Sequence, residues 1–186
     1  MIDSGFAWDG ETLSYAFTAQ NESDDTSLEE TIVQVSIYGN TGEAIGSDSG
    51  IIDFFLPGQT VAFAGHIPLD EEPGRLAFAF SVERKATIEG ARTFDTSSGK
   101  YAQTNFGGRV VAVIKNPYDR ELRRLHVVAV LRAEDGKILN GGSTILELLP
   151  ANRESTVTID ILGQPQTPAS VDVYTHFSAE TVFRLQ

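Results

Sequence analysis

The residues able to do chemistry are few and scattered. His66, His126 and His176 are the three histidines, and no two share a ligand spacing such as His-x-x-x-His. With no cysteine, the chain has no disulfides, thiolate metal sites or cysteine nucleophiles. No Gly-x-Ser-x-Gly elbow presents a serine, and Ser98-Gly99-Lys100 lacks the upstream glycine of a phosphate-binding loop. The 26 acidic residues offer carboxylate pairs for glycoside chemistry by number alone, which is opportunity rather than a motif.

Oxygen ligands for calcium could converge at Asp24-Asp25, at Asp48 with Asp53, or at Asp70-Glu71-Glu72. Counted from Asn21, however, the first loop lacks both the sixth-position Gly and the twelfth-position Glu of an EF-hand. Solvated acidic loops are expected instead, with no metal and no cofactor. Asn21-Glu22-Ser23 fits the glycosylation sequon and reads as a loop. Phe6, Trp8 and Tyr15 suggest either an aromatic platform for sugars or core, and the alternate spacing of Phe6 and Trp8 favours core. No catalytic residue emerges, and the chain is expected not to be an enzyme.

Composition narrows the class further. The net charge of −12 argues against a nucleic-acid partner, because phosphate binding needs clustered Lys and Arg. Apolar residues make up 41% and charged residues 22%, ordinary globular proportions. No apolar run approaches the ~18 residues of a membrane span, so membrane attachment is expected only through an anchor outside this chain. The opening MIDSGFAWDG has no basic region followed by an apolar run and does not read as a signal peptide.

The elements that carry these residues come in two copies. Asn116, a charged loop, Leu122, the run Leu125 to Leu131 and the turn Asp135-Gly136 repeat an earlier series. That series is Asn21, a charged loop, Leu28, the run Ile32 to Tyr38 and the turn Thr41-Gly42. An offset of 94 relates Leu122 to Leu28, Val127 to Val33 and Gly136 to Gly42. The register expected elsewhere is 95 for Val110 to Asn116, and 93 for both Leu149-Pro150 and Val171 to Val173.

Period-two alternation places Val33, Val35 and Ile37 on one core face, and Leu125, Val127, Ala129 and Leu131 on its counterpart. Short strands at regular spacing, punctuated by Gly and Pro, predict an all-β chain of two tandem Ig-like antiparallel β-sandwich domains, residues 1–85 and 86–186. Arg84-Lys85-Ala86 is the expected hinge. Thr87-Ile88-Glu89 and Thr93-Phe94 are expected to open the second domain, while the first lacks that strand or uses Phe6-Ala7-Trp8 instead.

The repeat resembles the FxLYD family, Ig-like domains of bacterial and archaeal surface and secreted proteins. Val35-Ser36-Ile37-Tyr38-Gly39 and Leu56-Pro57-Gly58 are similar to its strand and Leu-x-Pro-Gly elements. So are Asn116-Pro117, Ala129-Val130-Leu131 and Leu149-Pro150-Ala151. Val35 and Ala129 stand where that family has Phe, Gly39 and Ala133 where it has Asp, and Arg132 where it has Tyr. Asn116-Pro117 with Leu149-Pro150-Ala151 also resembles the late-embryogenesis-abundant type 2 domain, another Ig-like sandwich. Neither resemblance implies a catalytic motif. They imply an extracellular or cell-surface spacer or protein-interaction, adhesion-like module, its protein partner unidentified. The alternative is a ligand-binding module taking carbohydrate or calcium at sandwich-end loops.

Two features suggest an interaction surface. Val128 and Val130 lie on the face where the first copy has Gln34 and Ser36, so an adjacent strand, the other domain or an apolar partner must cover them. Residues 1–85 also carry all the excess negative charge. Glu29-Glu30 occupy the place of Arg123-Arg124, with Arg120 adding to the basic side. Either these are solvated loop ends, or opposite ends attract within one molecule or between molecules, giving weak, salt-sensitive self-association.

Overall fold

Alternating large and small side chains build four antiparallel sheets. The computed structural model describes residues 2–86, 91–105, 107–163 and 166–183. The first half contains β1 (Ile2–Trp8), β2 (Thr12–Gln20), β3 (Ser27–Gly39), β4 (Ala44–Phe55), β5 (Thr60–Pro68) and β6 (Pro73–Ala86). The second contains β7 (Asp95–Thr96), β8 (Lys100–Thr104), β9 (Gly107–Lys115), β10 (Leu122–Arg132), β11 (Ile138–Leu149), β12 (Glu154–Leu162) and β13 (Ser170–His176). A short helix, α1 (Ala179–Phe183), follows.

Named by their central strands, the sheets run β1-β2-β5 and β4-β3-β6 in the first half, and β12-β9-β7 and β11-β10-β13 in the second. β8 also pairs with β9. The strand order therefore repeats. Leu13, Tyr15 and Phe17 of the β2 sheet meet Val33, Val35 and Ile37 of the β3 sheet in one core. Val110, Ala112 and Ile114 of the β9 sheet meet Leu125, Val127, Ala129 and Leu131 of the β10 sheet in another. Each expected core residue of β3 and β10 is buried, as alternation predicts.

Backbone and side-chain details repeat with the strands. Asn21 Nδ2 donates to the carbonyls of Thr26, Phe55 and Leu56, while its Oδ1 accepts from the Ser23 N–H. Asn116 does the same to Arg120, Leu149 and Pro150, and accepts from the Tyr118 N–H. Each amide thus ties a loop to the end of the facing sheet. Gly42 and Gly136 turn at φ 94° and 83°, and both are followed by a register shift where the hairpin meets β3 or β10. Because Asn21 is buried and its amide is committed to three carbonyls, its sequon serves the turn.

Three expectations require correction. Arg84-Lys85-Ala86 is not a hinge: β6 runs through Ala86, pairing those residues with Glu29, Leu28 and Ser27. The offset of 93 is also wrong. Leu28 pairs with Phe55 and Leu122 with Leu149, so Pro150 occupies the place of Leu56, and Pro57 that of Ala151. Matching the Leu-Pro pairs slipped the register, since what the turn needs is a left-handed residue next, supplied by Gly58 at φ 65° and Asn152 at φ 54°. Likewise Val173 faces Ala129 as Phe78 faces Val35, an offset of 95. Finally, Thr93-Phe94 is not strand but a coil leading into β7, and Thr87-Ile88-Glu89 lies outside the described residues. Phe6-Ala7-Trp8 lies within β1, where Phe6 faces Tyr15 as Tyr101 of β8 faces Val110.

Candidate functional site

The outer face of the β10 sheet is covered by the first half of the chain. Val128 and Val130 are buried, with Ile138, against Ala16, Ala62 and Ala64 on the outer face of the β2 sheet. The layers therefore stack in the order β3, β2, β10, β9. Small residues let the two central sheets approach. A Cβ at Gly5 would lie 1.7 Å from the Ile138 carbonyl oxygen, and one at Gly141 would lie 2.6 Å from the Ala16 Cβ. Gln59 Nε2 donates to the Thr175 carbonyl at 3.0 Å, and Arg132 bonds Asp3 at 2.7 Å and Asp172 at 2.6 Å. An apolar centre with polar fasteners at its margins joins the halves.

One margin of this junction holds a histidine pair. His126 of β10 faces His176 of β13, and their rings stack with centroids 4.6 Å apart and planes 7° from parallel. Asp53 of β4 approaches His126 Nε2 at 3.9 Å and accepts from the Ala179 N–H at 3.1 Å. Burial, reinforced by the neighbouring His126, depresses the His176 pKa to about 3. Burial also lowers that of His126, with Arg124 acting in the same direction and Asp53 opposing. Sequence spacing missed this pair because strand pairing, fifty residues of chain apart, creates it; both positions fall opposite Ile32 and Ser81 of the first half in the repeat.

The charged residues expected to mark an interface have local partners. Arg84 pairs with Glu30 and stands 3.9 Å from Glu29, both within the β3 sheet. Arg123 bonds Glu121 at 2.8 Å, Arg124 lies 3.6 Å from Glu147 and 3.7 Å from Glu180, and Arg120 is 3.6 Å from Asp119. Glu30 and Arg124 do occupy equivalent backbone positions, with φ 50° and 55°. Yet the first-half carboxylate that reaches the basic end is Asp53, through His126 and the start of α1.

The acidic groups are dispersed into separate hydrogen bonds. Asp48 accepts from the Tyr15 hydroxyl at 2.8 Å, and Asp25 accepts from the Ser23 and Thr26 hydroxyls. Among the described residues, no group of three or more His, Asp or Glu is placed to hold a metal ion. Tyr15 is wholly buried, and Phe6 and Trp8 pack against the same core, so these aromatics form no exposed platform.

At another margin of the junction lies a cleft of about 190 Å³, lined by Ser14, Gly65, His66, Gly141, Ser143 and Asp160, among others. The buried Ser14 hydroxyl has no hydrogen-bond partner. The cleft thus combines hydroxyl, imidazole and carboxylate groups around glycine-rich strands. No helix among the described residues is long and apolar enough to cross a membrane.

No family model and no curated protein matches the chain. Among solved structures, a red sea bream transglutaminase is similar over 94% of this chain, at 9% identity and a TM-score of 0.26. This chain spans 29% of that structure's length. An anti-sigma factor domain-containing protein is similar over 91% of this chain and 81% of its own, at 13% identity and a TM-score of 0.25. Likeness this loose transfers no activity, and the reading of function rests on the junction and the surfaces around it.

Proposed function

We propose that this chain is a non-enzymatic spacer or protein-interaction module of a surface or secreted protein, built from two tandem Ig-like, FxLYD-type units. The observation that supports this reading is the apolar junction of Val128, Val130 and Ile138 with Ala16, Ala62 and Ala64. Buried contact between the central sheets holds two units as one rigid body, which suits a spacer that must present its ends at fixed separation. Because the chain has no cysteine, spin labels can be attached at introduced Ser49→Cys and Thr158→Cys on the two outermost sheets. One narrow distance distribution is expected by pulsed electron resonance. A broad or multiple distribution would sink the spacer reading.

A second reading, a binding site for a small carbohydrate, is favoured by the unpartnered Ser14 hydroxyl in the junction cleft. Polyhydroxy ligands supply both donors and acceptors to such a group. Thermal scans against a glycan panel, with calcium and EDTA arms, test it: a ligand that raises the melting temperature of the protein but not of Ser14→Ala supports it. No shift with any glycan rejects it.

A further inference from the structure

The two edges of the β4-β3-β6 sheet differ in how they meet water. β4 is interrupted by Gly46 and Gly50, and it turns the Asp48 carboxylate inward to the Tyr15 hydroxyl. Both devices discourage another strand from adding there. β6 pairs with β3 on one side, and no described strand pairs with the other. Its residues 75 to 83 contain no glycine, no proline and no inward charge, and Ala79 to Glu83 are exposed. In the second half the counterpart edge, β13, is fastened by Thr96 and Gly99, which bond the carbonyls of Val173 and Val171. β1 stands in the place of that segment, Ile2 facing Ala19 as Thr96 faces Ile114, but among the described residues it pairs only with β2.

The open edge is complementary to itself. About Ala79, Phe78 is matched by Phe80, Ala77 by Ser81, Leu76 by Val82, and Arg75 by Glu83. Leu76, Phe78, Phe80 and Val82 lie opposite Ile37, Val35, Val33 and Thr31 of β3, on the core side of the sheet. Arg75, Ala77, Ala79, Ser81 and Glu83 therefore share its outer side. Among the described residues neither charge has an opposite charge beside it: Arg75 lies 3.8 Å over the Tyr38 ring, and Glu83 accepts from the Ser81 hydroxyl at 3.4 Å. Residues 1–85 hold 15 acidic residues against three basic ones, and those three, Arg75, Arg84 and Lys85, all lie in β6. Two copies of this acidic half repel least along this edge.

We infer that β6 pairs antiparallel with β6 of a second copy of this chain, about a two-fold axis through Ala79, joining two sheets into one in the order β4-β3-β6-β6-β3-β4. With the axis perpendicular to the sheet, core side continues into core side. Leu76 then faces the partner's Val82, Phe78 the partner's Phe80 and Arg75 the partner's Glu83, and each contact occurs twice. Main-chain hydrogen bonds across the new ladder supply the attraction that the side chains keep in register. The contact closes at two copies and sets both second halves on the same side of the joined sheet. It goes beyond the spacer reading, which stands or falls separately.

Sedimentation velocity of the full chain from about 1 μM to about 1 mM tests the inference, with an equilibrium between one and two copies expected. Ala79→Lys puts like charges face to face at the axis and should raise the dissociation constant about tenfold or more, in a monomer that folds normally because Ala79 is exposed. Arg75→Glu or Glu83→Arg alone should weaken pairing about threefold or more, by setting like charges opposite one another, and the two together should restore it. A chain that stays monomeric throughout overturns the inference. So does a dimer indifferent to Ala79→Lys, or a charge exchange that restores nothing. Association abolished by reversing Arg123 and Arg124 to Glu would place the contact at the oppositely charged ends and overturn it too. In the spin-label experiment, dilution with excess unlabelled chain removes distances between copies, so a rigid spacer without pairing, or pairing without a rigid spacer, is recognised as such.

Discussion

His176 lies parallel to His126 at 4.6 Å, with its Nδ1 buried and lacking a hydrogen-bond partner. Unfolded, a histidine takes up its proton near pH ~6.5, whereas folded His176 does so only at about 3. Between these values the unfolded chain binds the extra proton, so this contribution to stability is intact above the unfolded pKa and declines as pH falls. By about pH 5 the loss from this ring is roughly 2 kcal/mol. Urea denaturation should show wild type losing more stability than His176→Phe between about pH 7.5 and 5. Equal losses would contradict the assignment.

Asn116→Ala should cost roughly 1 to 3 kcal/mol, because the carbonyls of Arg120, Leu149 and Pro150 lose their shared donor. Asn21→Ala should cost about as much, since it removes the matching set. Chemical denaturation of both variants checks whether equal geometry carries equal energy.

Val128→Lys should destabilise by about 3 kcal/mol or more, through an unpaired charge placed between the central sheets. Gln34→Lys, at the equivalent but exposed position on β3, should stay within about 0.5 kcal/mol of wild type. Gly5→Ala should also loosen the junction, because its methyl would overlap the Ile138 carbonyl. Similar stabilities for Val128→Lys and Gln34→Lys would mean the junction does not hold in solution.

Reversing Arg123 and Arg124 to Glu should change stability by no more than about 1 kcal/mol, since their partners Glu121, Glu147 and Glu180 are surface residues. Small-angle scattering of wild type and double reversal should coincide at about 50 and about 500 mM salt. Association at low salt that the reversal abolishes would instead establish pairing between the Glu29-Glu30 and Arg123-Arg124 ends.

The repeat and its core faces were legible because large side chains alternate wherever one sheet face meets another, as at Val33, Val35 and Ile37. The register after β4 was not, since residue type drew Pro150 toward Pro57 while the backbone required Gly58 and Asn152 to coincide. The junction was half legible. Val128 and Val130 advertised a covered face, but Ser14, Ala16 and Thr18 on β2 read like an ordinary solvent face. Their small size, which hides the signal, is what allows close sheet packing. The histidine pair depends on cross-strand neighbours, which do not appear as local spacing.

The junction joins unlike faces: the β2 sheet of one unit meets the β10 sheet of the next, whose counterpart is the β3 sheet. Such a heterologous contact has no intrinsic stopping point, and identical units would polymerise through it. Here the outermost faces terminate the stack. Lys100, Arg109, Val111, Thr156 and Thr158 replace Gly5, Ser14, Ala16, Ala62 and Ala64, while Gln34 and Ser36 replace Val128 and Val130. Bulk and charge on one outer face and polarity on the other reproduce neither side of the junction, so the divergence that makes the copies hard to align also keeps this contact from recurring at the two outer faces of the four-sheet stack.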